Sequence, residues 1–165
     1  MKPTMDFART PAMEIKNENR CVIKSVNPEN IFTFPKGVLG FEHIGEYIFL
    51  MNEKVKPFLF MQALDESDLS FVCVESFLIK PDYNIMLPTQ SVKLLELESP
   101  GDALVLSLVT VKRNVEDITA NLMSPIIINL RNSRAQQIVF ENSSYPVQYN
   151  IWNAIENKVP AIKVG

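Results

Sequence analysis

The sequence predicts a mainly β protein, a small antiparallel β-barrel-like single domain with little helix. At 165 residues the chain has the length of one domain and can bury a sizeable core. Short segments rich in β-branched and aromatic residues recur along it, each bounded by Pro, Gly, Asn, Asp or Ser. The connections between them are too short for the crossover helices of a parallel sheet. Because an open sheet of so many strands would leave exposed edges, we expect this sheet to curl or close.

The predicted strands follow one another along most of the chain. The first two, residues 21–26 and 31–34, are separated by a turn cluster at residues 27–30. The others are predicted at Tyr47–Met51, Phe58–Leu64, Ser70–Val74, Asn84–Leu87, Leu104–Val111, Ile126–Leu130, Gln137–Phe140 and Val147–Trp152. The apolar spacing of residues 89–98 fits a short helix and an irregular strand equally well, so both interpretations stay open.

The ends of the domain are indicated by composition. Residues 1–19 carry two prolines, six charges and little periodicity, which predicts a flexible N-terminal arm. The barrel domain is then expected to occupy residues 20–165. The sequence shows no export signal and no apolar run long enough to span a membrane, so a cytoplasmic protein without a membrane partner is expected.

The charge balance argues against a nucleic-acid-binding surface. The formal net charge is −3 and the sequence pI is about 5.2, so the chain has no general attraction for phosphate backbones. No direct contact with nucleic acid is therefore predicted. The sequence does not fix the oligomeric state, and a monomer is one option.

Few residues are available for catalysis, a metal or a cofactor, and none of the three is predicted. His43 is the single histidine, and the two cysteines, Cys21 and Cys73, lack a metal-ligand spacing. No glycine-rich phosphate motif or nucleophile motif occurs. The carboxylates of the acidic turn, residues 65–68, resemble a solvated turn more than a paired acid and base.

One segment has an unusual composition. Residues 34–42, which we call the glycine turn, contain two of the five glycines of the chain within four positions. Glycine permits backbone angles that other residues avoid, so a sharp turn is predicted here. The apolar residues Val38, Leu39 and Phe41 then either plug one end of the barrel or protrude as a contact for a partner.

Several blocks of the chain resemble the FliW family of flagellar assembly factors. The glycine turn is similar to the family block Phe-x-x-Gly-Leu-Pro-Gly-Phe-Glu, except that Leu39 replaces the usual proline. Further similar blocks are Pro57 to Val72, Pro81-Asp82-Tyr83, the segment from Thr119 to Ile126, and Gln137-Ile138-Val139. Ser124 stands where alanine is common. The resemblance covers about residues 20–152, in the same order and with similar spacing.

The resemblance implies a binding protein without enzymatic activity. Similar proteins bind the translational repressor CsrA, away from its RNA-contacting residues, and also bind newly made flagellin. The implied function is a partner switch in which this allosteric antagonism of CsrA relieves the repression of flagellin mRNA. Alternatives are a secretion chaperone or adaptor for another client, and a flavin-binding split-barrel enzyme.

Partner-contact residues are predicted from turn placement and from the resemblance. All lie in three segments: the glycine turn, the acidic turn and residues 121–125. The candidates are Phe34, Leu39, Phe41, Glu42, Asp65, Asp68, Asn121, Leu122 and Pro125. Core packing competes with partner contact as the interpretation of Phe34, Phe41 and Leu122, and a turn cap competes with it for Asn121.

Overall fold

The computed structural model describes residues 13–16 and 31–158. Their strands are β1 (Met13–Ile15), β2 (Ile31–Thr33), β3 (Glu46–Met51), β4 (Leu59–Ala63), β5 (Ser70–Glu75), β6 (Ile85–Leu87), β7 (Ala103–Thr110), β8 (Thr119–Ala120), β9 (Ile126–Asn129), β10 (Arg134–Gln137) and β11 (Tyr149–Asn150). Their α-helices are α1 (Ser76–Ile79), α2 (Thr89–Leu95) and α3 (Trp152–Ile155).

Seven of these strands close into a barrel. The pairing runs β7-β5-β4-β3-β2-β10-β9 and returns to β7, because β7 pairs with β5 along one edge and with β9 along the other. β8 pairs with the C-terminal end of β7, and β11 pairs with the other edge of β8. The pairs are antiparallel except for one parallel contact between β2 and β10, where Thr33 lies opposite Arg134. The predicted mainly β, barrel-like fold is therefore confirmed.

Side-chain alternation along the strands separates two apolar cores. Phe49, Met61, Cys73 and Leu104 point into the barrel and are all at most 1% exposed. The alternate residues of β5, β7 and β9 point outward into a second core, the outer core, which also contains residues of β6 and the three α-helices. Because successive residues of a strand face opposite sides, β7 supplies both cores.

Most predicted strands are found within one or two residues of their predicted positions, and the exceptions lie in the second half of the chain. The prediction at Gln137–Phe140 is displaced, because the strand is Arg134–Gln137. The prediction at Val147–Trp152 is wrong beyond Asn150, since Trp152 begins α3. The segment left open at residues 89–98 contains α2, whose buried Val92 and Leu95 pack in the outer core.

The N-terminal part of the chain is described only at residues 13–16. These lie inside the predicted flexible arm, yet β1 pairs with β6 in antiparallel register and Ile15 is fully buried. At this point the chain is packed against the domain. The rest of the predicted arm and the strand predicted at 21–26 lie outside the described residues. None of the helices in the described ranges has the length and apolar character that a membrane-spanning segment requires.

Candidate functional site

The glycine turn lies at one end of the barrel, between β2 and β3, and its backbone is tightly folded. Gly37 and Gly40 have φ angles of 63° and 83°. The Phe41 N–H donates to the Val38 carbonyl at 2.7 Å. With Gly40 at the third position and a negative φ at Leu39, this is a type II turn, which needs a positive φ at its third residue.

Gly37 is required for a second reason, a close backbone approach. A Cβ atom at this position would lie 2.5 Å from the Cα of Glu42 and 2.7 Å from its carbonyl oxygen. At Gly40, by contrast, a Cβ would meet nothing within 4 Å. Both glycines therefore adopt the left-handed conformation, but only at Gly37 does the missing Cβ also allow the close approach of the Glu42 backbone.

The side chains of the glycine turn are divided between core and surface. Phe34 and Val38 are 1% exposed and pack in the barrel core, where the ring of Phe34 contacts that of Tyr47. Phe41 is half-buried and packs edge-on against Phe71. Leu39, at 56% exposure, projects into solvent. Thus the turn both plugs the barrel and displays an apolar side chain, so each of the two interpretations of its composition describes some of its residues.

Glu42 ends the glycine turn with an exposed carboxylate held by the backbone. Its Oε1 atom accepts a hydrogen bond from the Gly40 N–H at 3.0 Å. This bond is the main cause that holds the pKa of Glu42 below its usual value, with a smaller contribution from the residue's own backbone N–H. The ionised carboxylate is therefore part of the turn.

The acidic turn lies beside the glycine turn. His43 Nε2 lies 3.2 Å from Glu66 Oε1, and both side chains are exposed. The side-chain amide of Gln62 lies within 3.0 to 3.2 Å of four carbonyl oxygens, three of them in residues 66–69. Asp65 and Asp68 are exposed. The Gln62 side chain therefore fixes the backbone of the loop between β4 and β5, while the carboxylates of that loop face solvent.

The 121–125 segment is joined to the glycine turn by Gln137. The Gln137 Oε1 atom accepts from the Leu39 N–H at 3.0 Å, and its Nε2 atom donates to the Ser124 carbonyl at 3.2 Å. The Oδ1 atom of Asn121 accepts from the backbone N–H groups of Met123 and Ser124. Asn121 thus caps its own turn, as the alternative interpretation proposed.

The structure brings the three predicted segments to one end of the barrel but does not expose all of their candidates. Leu39, Glu42, Asp65 and Asp68 are exposed, and Phe41 and Asn121 are half-buried. Phe34, Leu122 and Pro125 are buried, so they pack beneath this surface and offer no contact area to a partner. Sequence reasoning missed Gln62 and Gln137, although both lie in blocks that carry the family resemblance.

The charge of this end is acidic. Residues 34–46 and 65–68 contain Glu42, Glu46, Asp65, Glu66 and Asp68, against Lys36 as the one lysine or arginine. Such a surface attracts basic partners and raises their rate of encounter, while the exposed Leu39 offers apolar contact. It has the mixed composition of a protein-binding surface.

Neither a metal-binding cluster nor an activated thiol is found in the described ranges. Residues 13–16 and 31–158 contain no cluster of three or more His, Cys, Asp or Glu side chains arranged to hold a metal ion. The Cys73 thiol is fully buried in the barrel, and this burial raises its pKa, so it is not an activated nucleophile.

The fold and this surface define a small β-barrel protein whose loops at one end offer an acidic and apolar contact surface. The sequence model of the FliW protein family matches residues 16–151. The chain therefore belongs to the FliW family of flagellar assembly factors, which confirms the resemblance seen in the sequence.

Individual relatives agree with this assignment. The flagellar assembly factor FliW of Treponema denticola is 36% identical over 139 residues, which cover 84% of this chain and 93% of the relative. That of Alkaliphilus metalliredigens is 35% identical over 132 residues, covering 79% and 82% of the two chains. A crystal structure of the flagellar assembly factor FliW superposes with a TM-score of 0.72 at 27% identity, covering 84% of this chain and 96% of that one.

Proposed function

We propose that this flagellar assembly factor works by binding two proteins in turn, the translational repressor CsrA and newly made flagellin. Binding to CsrA relieves the repression of flagellin mRNA by an allosteric effect, without occupying the RNA-binding residues. Flagellin that has not been exported occupies the protein and leaves CsrA free to repress. The switch operates in the cytoplasm, and the protein changes no substrate chemically.

The observation that supports this proposal is the convergence of three loop segments at one end of the barrel. The contact surface that we propose consists of Leu39, Phe41, Glu42, Asp65 and Asp68. Its acidic character suits a basic RNA-binding dimer, so we assign this end to CsrA. Gln62 and Gln137 hold the three segments in place before a partner arrives, which reduces the ordering that binding requires.

Binding can be tested with substitutions on this surface. Leu39→Ala, Glu42→Lys and Asp68→Lys are each expected to weaken CsrA binding at least tenfold, measured by isothermal titration calorimetry. Met86→Ala removes a similarly exposed apolar side chain outside this surface, and it should bind CsrA normally. If all three variants stay folded and bind CsrA and flagellin like the wild type, this surface is not the contact site.

The allosteric step is tested by titrating the protein into a complex of CsrA with flagellin leader RNA. RNA release whose midpoint does not move when more RNA is added supports the allosteric form, whereas a midpoint that rises with RNA concentration indicates direct competition. Recovery of other clients, but neither CsrA nor flagellin, on the tagged wild-type protein from cytoplasmic extract would replace the proposal with an adaptor for those clients.

A further inference from the structure

A second surface of the barrel carries an apolar stripe across its outer wall. In the observed register Ile31 lies opposite Ile48, and Leu50 lies opposite Phe60. Phe60 in turn lies opposite Val72. Ile48 and Leu50 are two positions apart on β3, so they share its outward face. The five side chains therefore form a stripe from β2 to β5 that steps by two residues along β3, from Ile48 to Leu50, and we call it the outer stripe.

Four of the five residues of the outer stripe lie outside both cores. Ile31 is 45% exposed and Leu50 36%, while Ile48 and Phe60 are half-buried. None of these four residues belongs to the barrel core or the outer core, or to the partly buried residues packed against them. Val72, at the other end of the row, packs against the outer core. The stripe thus continues the apolar surface that helices cover over β5, β7 and β9.

An antiparallel sheet with one face in water normally alternates apolar inward and polar outward residues. β3 and β4 break this rule, because Phe49 and Met61 fill the barrel while their neighbours Ile48, Leu50 and Phe60 are apolar on the outside. Contiguous apolar side chains on an outer face are typical of an interaction surface.

The dimensions of the outer stripe fit a single helix. Three interstrand spacings of about 4.8 Å separate β2 from β5, so the stripe is roughly 15 Å long. An α-helix of about ten residues covers that length. With only two side chains more than a third exposed, the stripe presents on the order of a few hundred Å². A stable dimer needs roughly 800 Å² from each protomer, so the area is too small for a second copy.

The charges beside the stripe restrict the partner further. Glu46 lies on the outward face of β3 two positions before Ile48, and Leu64, which follows β4, donates its N–H to the Glu46 carbonyl at 3.1 Å. The acidic turn follows directly after Leu64. One long edge of the stripe is therefore acidic, and it favours lysine or arginine along the matching flank of the bound helix.

We propose that the outer stripe, Ile31, Ile48, Leu50, Phe60 and Val72, is a docking site for an amphipathic α-helix of a partner protein that carries basic residues along one flank of its apolar face. The stripe does not include Leu39 or the acidic turn, although the acidic turn borders it, and the proposal does not depend on the identity of the two partners proposed above.

The test uses a synthetic 14-residue Leu/Lys peptide with leucines at helical spacing and a scrambled peptide of the same composition. We expect the wild-type protein to bind the helical peptide at least tenfold more tightly than the scrambled one, measured by fluorescence anisotropy. Leu50→Lys and Ile31→Lys should abolish that difference. Met86→Lys makes the same change at a similarly exposed apolar residue outside the stripe and should preserve it.

Other occupants give different results, each of which would overturn the proposal. Equal binding of both peptides would mean attraction by charge alone. A dimer in sedimentation velocity that Leu50→Lys dissolves would assign the stripe to a second copy. A much larger loss of unfolding free energy for Leu50→Lys than for Met86→Lys would assign it to the chain's own packing. Since neither CsrA nor flagellin is used, failure here leaves the proposed function untouched.

Discussion

The two glycines of the glycine turn allow the effect of a close backbone approach to be separated from the effect of backbone conformation. Gly37→Ala and Gly40→Ala both place a Cβ atom on a residue with positive φ, 63° and 83° respectively. An alanine in this region costs about 1 to 2 kcal/mol, and its restriction of the unfolded chain returns about 0.4 to 1 kcal/mol. Gly40→Ala should therefore lower the free energy of unfolding by about 1 kcal/mol.

Gly37→Ala should be more destabilising, because the new Cβ atom would lie 2.5 Å from the Cα of Glu42. Backbone atoms cannot move aside as the end of a flexible side chain can, and forced overpacking costs about 1 to 3 kcal/mol. The expected total loss is about 2 to 4 kcal/mol, with the Gly37 variant at least 1 kcal/mol worse than the Gly40 variant.

Urea denaturation followed by tryptophan fluorescence measures both losses, since Trp152 is the one tryptophan of the chain. The comparison is valid if the two variants and the wild type unfold with the same m value. Equal losses for the two variants, within about 0.3 kcal/mol, would refute the argument that the backbone of Glu42 demands a glycine at position 37.

Four further predictions concern other contacts. Leu39→Pro restores the residue usual in the family but removes the N–H that binds Gln137, so the gain and the loss should cancel to within about 1 kcal/mol in urea denaturation. Gln137→Ala should destabilise by about 1 kcal/mol, and Gln137→Glu, which keeps the acceptor for the Leu39 N–H, should lose less. The pKa of the Glu42 carboxyl is lowered in the folded state. The ionised carboxylate therefore stabilises the fold fully above pH 4.5, the ordinary pKa, and this contribution is lost as the pH falls through the lower pKa of the folded state. Glu42→Gln should make the loss of stability below pH 4.5 less steep. In a Cys21→Ser variant, the buried Cys73 thiol should react with dithionitrobenzoate only at the rate of unfolding.

The strands could be predicted from the sequence because the information they need is local. Ser70–Glu75 and Ala103–Thr110 are rich in β-branched and apolar residues and are bounded by turn residues, and both are found close to their predicted positions. The prediction at Val147–Trp152 failed because a short strand there is followed closely by a helix. Tyr149–Asn150 and Trp152–Ile155 are too short for either period to be visible in the sequence.

The glycine turn could also be located in the sequence, but the contacts that define the candidate site could not. Leu39 and Gln137 are 98 positions apart, and no local pattern connects them. The burial of Phe34 depends on Tyr47 and the closed barrel around both. The outer stripe is invisible without the register, since a one-residue slip would place Ile48 and Leu50 inside the barrel.

The arrangement of the two surfaces bears on how partners could be exchanged. Leu39 and the acidic turn lie at the end of the barrel, whereas Ile31 and Leu50 lie on its wall, and β3 connects the two because Glu46 borders both. A basic partner at the end and a basic helix on the wall would therefore compete for the charge of Glu46 even without touching each other. Since reciprocal coupling requires each partner to weaken the other by the same factor, Glu46→Gln should reduce that mutual weakening while leaving both apolar contacts intact.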